Sequence, residues 1–275
     1  MNEFHTTEAT QVTNITLNVE DLNKMTNFYK NILGFSIKEQ DYNHVIFNVG
    51  ANGHTLTLQY LEDGRRPGFR EAGLFHIAYL LPTRTDLANF LFHASRLNVP
   101  VGGGDHLVSE ALYFNDPEGN GIEVYQDRPS EDWQWDSNFV KMDTLAVDAD
   151  DLIAQRTEEG WNGWPADGKI GHLHLKTHDI GQARDFYVEQ IGLEHISNFP
   201  QALFMSTQKY HHHIATNVWQ SNQARTDNET TYGLVHFDIY KPNAKEEHIT
   251  SPEGFDITVH SDTSVVPGSV SYTHL

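Results

Sequence analysis

Hydrophobic and polar positions recur along this chain in a repeating order. Alternation with a period of two at Ile15, Leu17 and Val19, and again at Leu173 and Leu175, predicts strands with one buried face. Each is followed by an aspartate suited to cap a helix, Asp21 or Asp179. A short helical stretch with an aromatic pair comes next, Phe28-Tyr29 or Phe186-Tyr187, and a glycine stop closes it at Gly34 or Gly192. An ungapped shift that lays residues 14–17 on 172–175 also lays His54 on His212, so the two stretches are copies of one unit. Further strands are predicted over residues 42–49, 55–60, 202–207 and 213–219.

Looser copies fill the remaining chain. Residues 74–79 read as a strand, and 84–98 as a helix with Leu87, Phe90, Leu91 and Leu97 on one stripe. Residues 111–114 and 121–125 read as strands. A fourth copy begins at 232–239 and ends at 254–259. It is so short that a helix and one strand are expected to be missing. The predicted architecture is α+β, with four βαβββ modules: one over residues 11–62, one over 73–126, and a third and a shortened fourth within 169–260. Residues 127–168 form a linker with a helix expected over 150–159. Residues 261–275 read as a tail without periodicity, a disordered end or a remnant foreign to the fold.

Charge and composition narrow the function. With 18 Lys plus Arg against 38 Asp plus Glu, the net charge is −20, which repels phosphate backbones and anionic lipids, so neither nucleic acid nor membrane is an expected partner. The chain has no cysteine, so disulfides, thiolate nucleophiles and iron–sulfur clusters are excluded, and any metal site must use histidine and carboxylate. The first ten residues lack the apolar core of a signal peptide and no 18-residue apolar run is present; a cytoplasmic location is expected.

The most specific stretch runs from Gly104 to Glu123. His106 is followed by Leu112-Tyr113, then the turn Asp116-Pro117-Glu118-Gly119, then Glu123 on the strand beyond. This spacing matches the extradiol dioxygenase signature. Together with the four modules it resembles the vicinal oxygen chelate superfamily, which includes glyoxalase I, fosfomycin and bleomycin resistance proteins and extradiol ring-cleaving dioxygenases. The chain is most similar to the catechol 2,3-dioxygenase-like members. The resemblance implies that modules pair into two cup-shaped sheets, with metal ligands projecting from first and last strands. It further implies Glu123 as an iron ligand, His106 as an acid or base, and Tyr113 as a hydrogen-bond donor to a substrate oxygen.

A facial set of two histidines and one carboxylate leaves three positions open on Fe(II), enough for both oxygens of a catechol and one O2. Mn(II) fits the same donors. First-strand slots hold Asn14, His76, His172 and His236, and last-strand slots Gln59, Glu123, Asn217 and Thr258. Pairing modules 1 with 2 and 3 with 4 assembles no full set. Pairing 2 with 3 and 1 with 4 brings together His76, Glu123 and His172, and leaves Asn14, His236 and Thr258 in a vestigial cup. The expected activity is therefore ring cleavage of an aromatic diol with O2 to a muconic semialdehyde. The alternatives are a glyoxalase-like isomerase or thiol transferase, and a non-catalytic drug-binding protein of the bleomycin-resistance type. A homo-oligomer is a further expectation, because the clipped fourth module leaves its cup open. Of the triplet His211-His212-His213, strand alternation allows at most His211 and His213 to share a face, and the triplet reads equally as a cavity lining or as a surface turn. His174 and His178 receive no role. Gly102-Gly103-Gly104 reads as a flexible turn leading to His106.

Overall fold

The computed structural model describes residues 4–266. The expected tail falls mostly outside them, at 267–275. In the first repeat unit, β1 (Gln11–Val19) leads into α1 (Leu22–Phe28), then β2 (Ser36–Gln40), β3 (His44–Asn48) and β4 (Thr55–Tyr60). The second contains β5 (Gly73–Leu80), α2 (Arg84–Arg96), β6 (Gly102–Asp105), β7 (Ser109–Asn115) and β8 (Gly121–Asp127). After a two-stranded hairpin, β9 (Trp135–Asp136) and β10 (Phe139–Val140), and a short α3 (Ala149–Ala154), the third unit runs β11 (Lys169–Lys176), α4 (Ile180–Arg184), β12 (Glu194–Phe199), β13 (Ala202–Ser206) and β14 (Ile214–Asn217). The last comprises only β15 (Gly233–Tyr240), β16 (Glu247–Thr250) and β17 (Asp256–His260).

The helix signals act as their chemistry requires. The side chain of Asp21 accepts from the Lys24 amide at 2.9 Å, and that of Asp179 from the Gln182 amide at 3.1 Å. Both helices widen into π-type turns at the aromatic pair, Tyr29–Leu33 and Asp185–Gln190. Gly34 then takes φ +77°, and a Cβ there would lie 2.5 Å from Gly163 Cα, so no other residue fits that stop.

Two curled sheets result. One has the order β16-β17-β15-β1-β4-β3-β2, and the other β12-β13-β14-β11-β5-β8-β7-β6. The strand order is thus the crossed one: β1 pairs antiparallel with β15, and β5 with β11. The main apolar core, including Ile15, Leu58, Tyr79, Val124, Leu173 and Phe237, draws on strands of both sheets and on the helices. Trp164 packs against Phe35 with ring centroids 5.1 Å apart, and Trp161 against Phe90 at the same distance. This ties the segment between the second and third units to that core.

Two local expectations are corrected. Gly102–Asp105 is an edge strand paired with β7, not a flexible turn. Its glycines serve close packing: a Cβ on Gly103 would sit 2.2 Å from Val147 Cγ1, and Asp105 bridges to Leu145. The helix expected over 150–159 is α3 and ends at Ala154, where Gln155 and Arg156 turn back on the carbonyls of Leu152 and Ile153.

Candidate metal centre

The seam between β5 and β11 builds the site. It places His76 opposite His174 and Ala78 opposite His172. The parallel pairing of β5 with β8 sets Glu123 beside Ala78. His76, Glu123 and His172 therefore meet on the concave face, with one potential ligand atom from each lying within 4.8 Å of the others. Glu123 Oε2 lies 2.9 Å from His76 Nε2 and 3.3 Å from His172 Nε2, and none of the three residues is more than 7% exposed.

The polar bookkeeping of this cluster is incomplete without a cation. Nε2 of His76 and both ring nitrogens of His172 are buried with no hydrogen bond of acceptable geometry. Each such orphan costs about 1–3 kcal/mol. Burial alone raises the pKa of the Glu123 carboxyl, but the His172 and His76 imidazoles outweigh it and hold the group well below the usual carboxylate range. Burial brings His172 down to about 4, so at neutral pH it offers a neutral imidazole beside the Glu123 carboxylate, the forms that bind metal. Two imidazole nitrogens and one carboxylate oxygen fit Fe(II) or Mn(II).

The register also identifies the fourth position. Around the approximate two-fold relation of the seam, His172 answers to His76 and His174 to Ala78. As Glu123 stands beside Ala78, so Ala215 stands beside His174. The counterpart of Glu123 is thus Ala215 and not Asn217, and in the other sheet it is Thr57, which pairs with Thr16, and not Gln59. A slip of two residues keeps the face of the strand but moves a side chain roughly 7 Å along it. With a methyl group in the fourth slot, the cup presents three ligands and no donor from that slot.

His106 and Tyr113 join this site. Tyr113 lies opposite Glu123 in the β7–β8 pairing, with its ring centroid 5.6 Å from that of His76. His106 Nδ1 is 2.8 Å from the Asp143 carbonyl oxygen, which can only accept, so that nitrogen carries the proton. His106 Nε2 accepts from the Tyr113 hydroxyl at 2.6 Å. Burial, with Glu123 adding to it, drives the Tyr113 pKa well above its ordinary value, so the phenol stays protonated.

Two histidines that sequence reasoning gave no place at the metal ligands also stand here. His174 is buried with its ring centroid 4.8 Å from those of His76 and Phe75, and Asn217 Nδ2 meets its Nε2 at 2.9 Å. Period-two alternation from His172 was the signal for it. His212 lies over His172 at a centroid distance of 3.9 Å. The strand rule missed it because 211–213 form the loop before β14 and do not alternate. All three residues of the triplet are buried: His211 Nε2 meets Asp127 Oδ1 at 2.8 Å and His213 Nε2 meets the Phe4 carbonyl at 2.8 Å. This excludes the surface reading. Phe75, Phe204 and Trp219 surround His174 as an aromatic wall.

The second sheet brings Asn14, His236 and Thr258 to corresponding places, but their polar groups satisfy one another. His236 Nε2 meets Asp238 Oδ1 at 2.6 Å and Thr258 Oγ1 at 3.3 Å, and Thr55 Oγ1 donates to Asn14 Oδ1 at 2.8 Å. Among the described residues, the cluster of His76, Glu123 and His172 is the one group of three such ligands close enough to share an ion. No helix among them is long and apolar enough to cross a membrane.

Comparisons with known proteins bear on the family and the fold. Residues 11–124 match the model of the glyoxalase/bleomycin resistance protein/dioxygenase superfamily. A protein of Bacillus subtilis (strain 168) named catechol-2,3-dioxygenase is 35% identical over 246 residues, covering 87% of this chain and 85% of that one. In fold, the chain is similar to the cppA protein from Streptococcus pneumoniae TIGR4, with a TM-score of 0.60, 11% identity, and 90% and 98% of the two chains covered. It is also similar to a glyoxalase I mutant from Zea mays, with a TM-score of 0.53, 10% identity, and 91% and 92% covered.

Proposed function

This chain belongs to the glyoxalase/bleomycin resistance protein/dioxygenase superfamily, and on that premise we propose that it is an extradiol dioxygenase that opens catechol or a substituted catechol with O2. The observation that carries the reading is the three-ligand cluster of His76, Glu123 and His172, with Ala215 in the fourth slot and the Tyr113–His106 pair beside it. His76, His172 and Glu123 would hold Fe(II), and Mn(II) suits the same donors. The bound metal supplies Lewis acidity toward the diol and the redox capacity that lets O2 react with the ring. Both oxygen atoms end in the product, a muconic semialdehyde, and one ring carbon–carbon bond beside the diol is broken.

The protein's own groups supply position and proton traffic. Tyr113, kept protonated by burial, donates a hydrogen bond toward a substrate oxygen when the diol displaces its interaction with His106. His106 Nε2, with its lone pair fixed by the Nδ1–H bond to Asp143, accepts the proton that the diol gives up and returns it later. The aromatic wall of Phe75, Phe204 and Trp219 offers planar apolar surface to a ring and limits access of water.

The test is anaerobic purification with Fe(II), metal analysis, and oxygen uptake with catechol while watching for a yellow ring-fission product. The reading predicts one bound metal per chain, stoichiometric oxygen uptake and yellow product. Bound metal without oxygen uptake would assign the site to an isomerase or transferase, and absence of metal binding to a drug-binding protein.

A further inference from the structure

A polar cavity lies where the start of β5, the end of β11 and the start of β15 come together. Its volume is about 290 Å³, and Gly73, Leu74, Asn120, Lys176, Arg225 and Tyr232 contribute to its lining. Lys176 ends β11 opposite Gly73. Arg225 comes from the loop before β15 and is only 6% exposed. Its Nε donates to Asn228 Oδ1 at 2.7 Å and its Nη2 to the Leu234 carbonyl at 2.7 Å, so side-chain amide and main chain hold the guanidinium in place.

No carboxylate lining this cavity is in direct contact with either of the two cations. Among the described residues, neither Lys176 nor Arg225 forms a salt bridge, and the charge of opposite sign acting on both is Glu71. The two carboxylates on the wall are already engaged. Both oxygens of Glu71 are held by Arg65, at 2.6 and 2.8 Å, and by the amides of Gly68 and Thr226. Glu118 accepts from the amides of Glu20 and Asp21. Arg66, also on the wall, pairs with Glu20. A chain with 38 acidic and 18 basic residues has ample carboxylate with which to neutralise two inward-facing cations. Leaving them together is costly unless a ligand completes them.

The geometry around Gly73 shows where that ligand would sit. A Cβ built on Gly73 would lie 3.7 Å from Lys176 Cε and 3.9 Å from Arg225 Nη1, so the two cationic side chains flank the open face of the glycine. We propose that this cavity is a binding site for a small oxyanion, a carboxylate or phosphate, held between the Lys176 ammonium and Arg225 Nη1. Asn120 and Tyr232 supply further polar groups on the wall. Desolvation and then the charge of Arg225 lower the Lys176 pKa, and burial brings Arg225 down to about 10. A bound anion relieves both penalties.

The site draws on the loop before β15, the end of β11 and the start of β5, so a ligand there braces the junction of the two sheets. The test is calorimetric titration of the full chain, without added metal, with sodium phosphate, acetate and malonate at matched ionic strength in chloride. One saturable site is expected on the wild type. Lys176→Met should weaken it at least ~10-fold. Arg225→Gln should do the same while unfolding as cooperatively as the wild type. Saturation by phosphate alone or by carboxylates alone identifies the source of the anion. No saturable binding of any of the three, or equal binding by wild type and Lys176→Met, overturns the proposal. The readout needs neither metal nor activity, so it stands or fails apart from the dioxygenase reading.

Discussion

The two sheets are built from the same parts and end in different chemistry. In each, two first strands run antiparallel at the centre and a last strand lies parallel to each of them. The eight-stranded sheet places histidine, glutamate, histidine and alanine at the four central slots. The seven-stranded sheet places Asn14, Thr57, His236 and Thr258 there. In the first case, buried imidazole nitrogens stay unpartnered around a carboxylate; in the second, hydroxyl, amide and Asp238 neighbours close the circuit. The scaffold provides a place where four side chains converge. Whether that place is a metal site depends on which residues occupy those slots, and on whether they are left wanting a cation.

The largest contrast should come from the carboxylate. Glu123→Ala removes the one anionic donor, so metal content should fall close to zero and oxygen uptake with catechol by at least ~10³-fold. Thr258→Ala, the matching change in the other sheet, should leave both unchanged. Next, Ala215→Glu adds a fourth ligand and tests the register directly. Metal should be retained while oxygen uptake drops roughly 100-fold, because a position needed by diol or O2 is closed. Measured together, metal content and uptake separate this variant from one that merely misfolds.

A smaller effect is expected beside the ligands. Tyr113→Phe and His106→Ala each remove part of one proton path, so kcat should fall about 10²-fold with metal content unchanged. Combining the two should cost little more than either alone, because they form one hydrogen-bonded pair.

The mildest expectation concerns acid. Burial lowers His54 and His213 to about 3, against 6.5 for free imidazole. Between those values the unfolded chain binds protons that the native chain does not, so stability rises with pH through this window and falls as pH drops below 6.5. The melting temperature should therefore decrease by roughly 10 °C between pH 7 and pH 5. His213 packs beneath the eight-stranded sheet against the Phe4 carbonyl, so hydrogen exchange there should accelerate before exchange in β2 and β3.

Much of this was legible along the chain, for identifiable reasons. Alternation located β1 and β11, and aspartate caps the helices after them, because one-sided burial and capping are local properties. The stretch from His106 to Glu123 was readable because a turn of fixed length sets the strand register on its far side. Less legible were features set by another part of the chain. β6 is a strand because Leu112 and the 145–147 segment close on its glycines. The slots taken as Gln59 and Asn217 are Thr57 and Ala215 because pairing between strands, not spacing within one, fixes which residue takes the slot in each sheet. His212 reaches His172 from a loop, where no periodicity applies.

The most direct test of the central claim compares two histidines in matching places. His172→Ala and His236→Ala are loaded with Fe(II) under the same anaerobic conditions and assayed for bound metal and for oxygen uptake with catechol. The account predicts that His172→Ala loses both while His236→Ala keeps both at wild-type level. Full metal occupancy in His172→Ala, or loss of metal in His236→Ala, would contradict it.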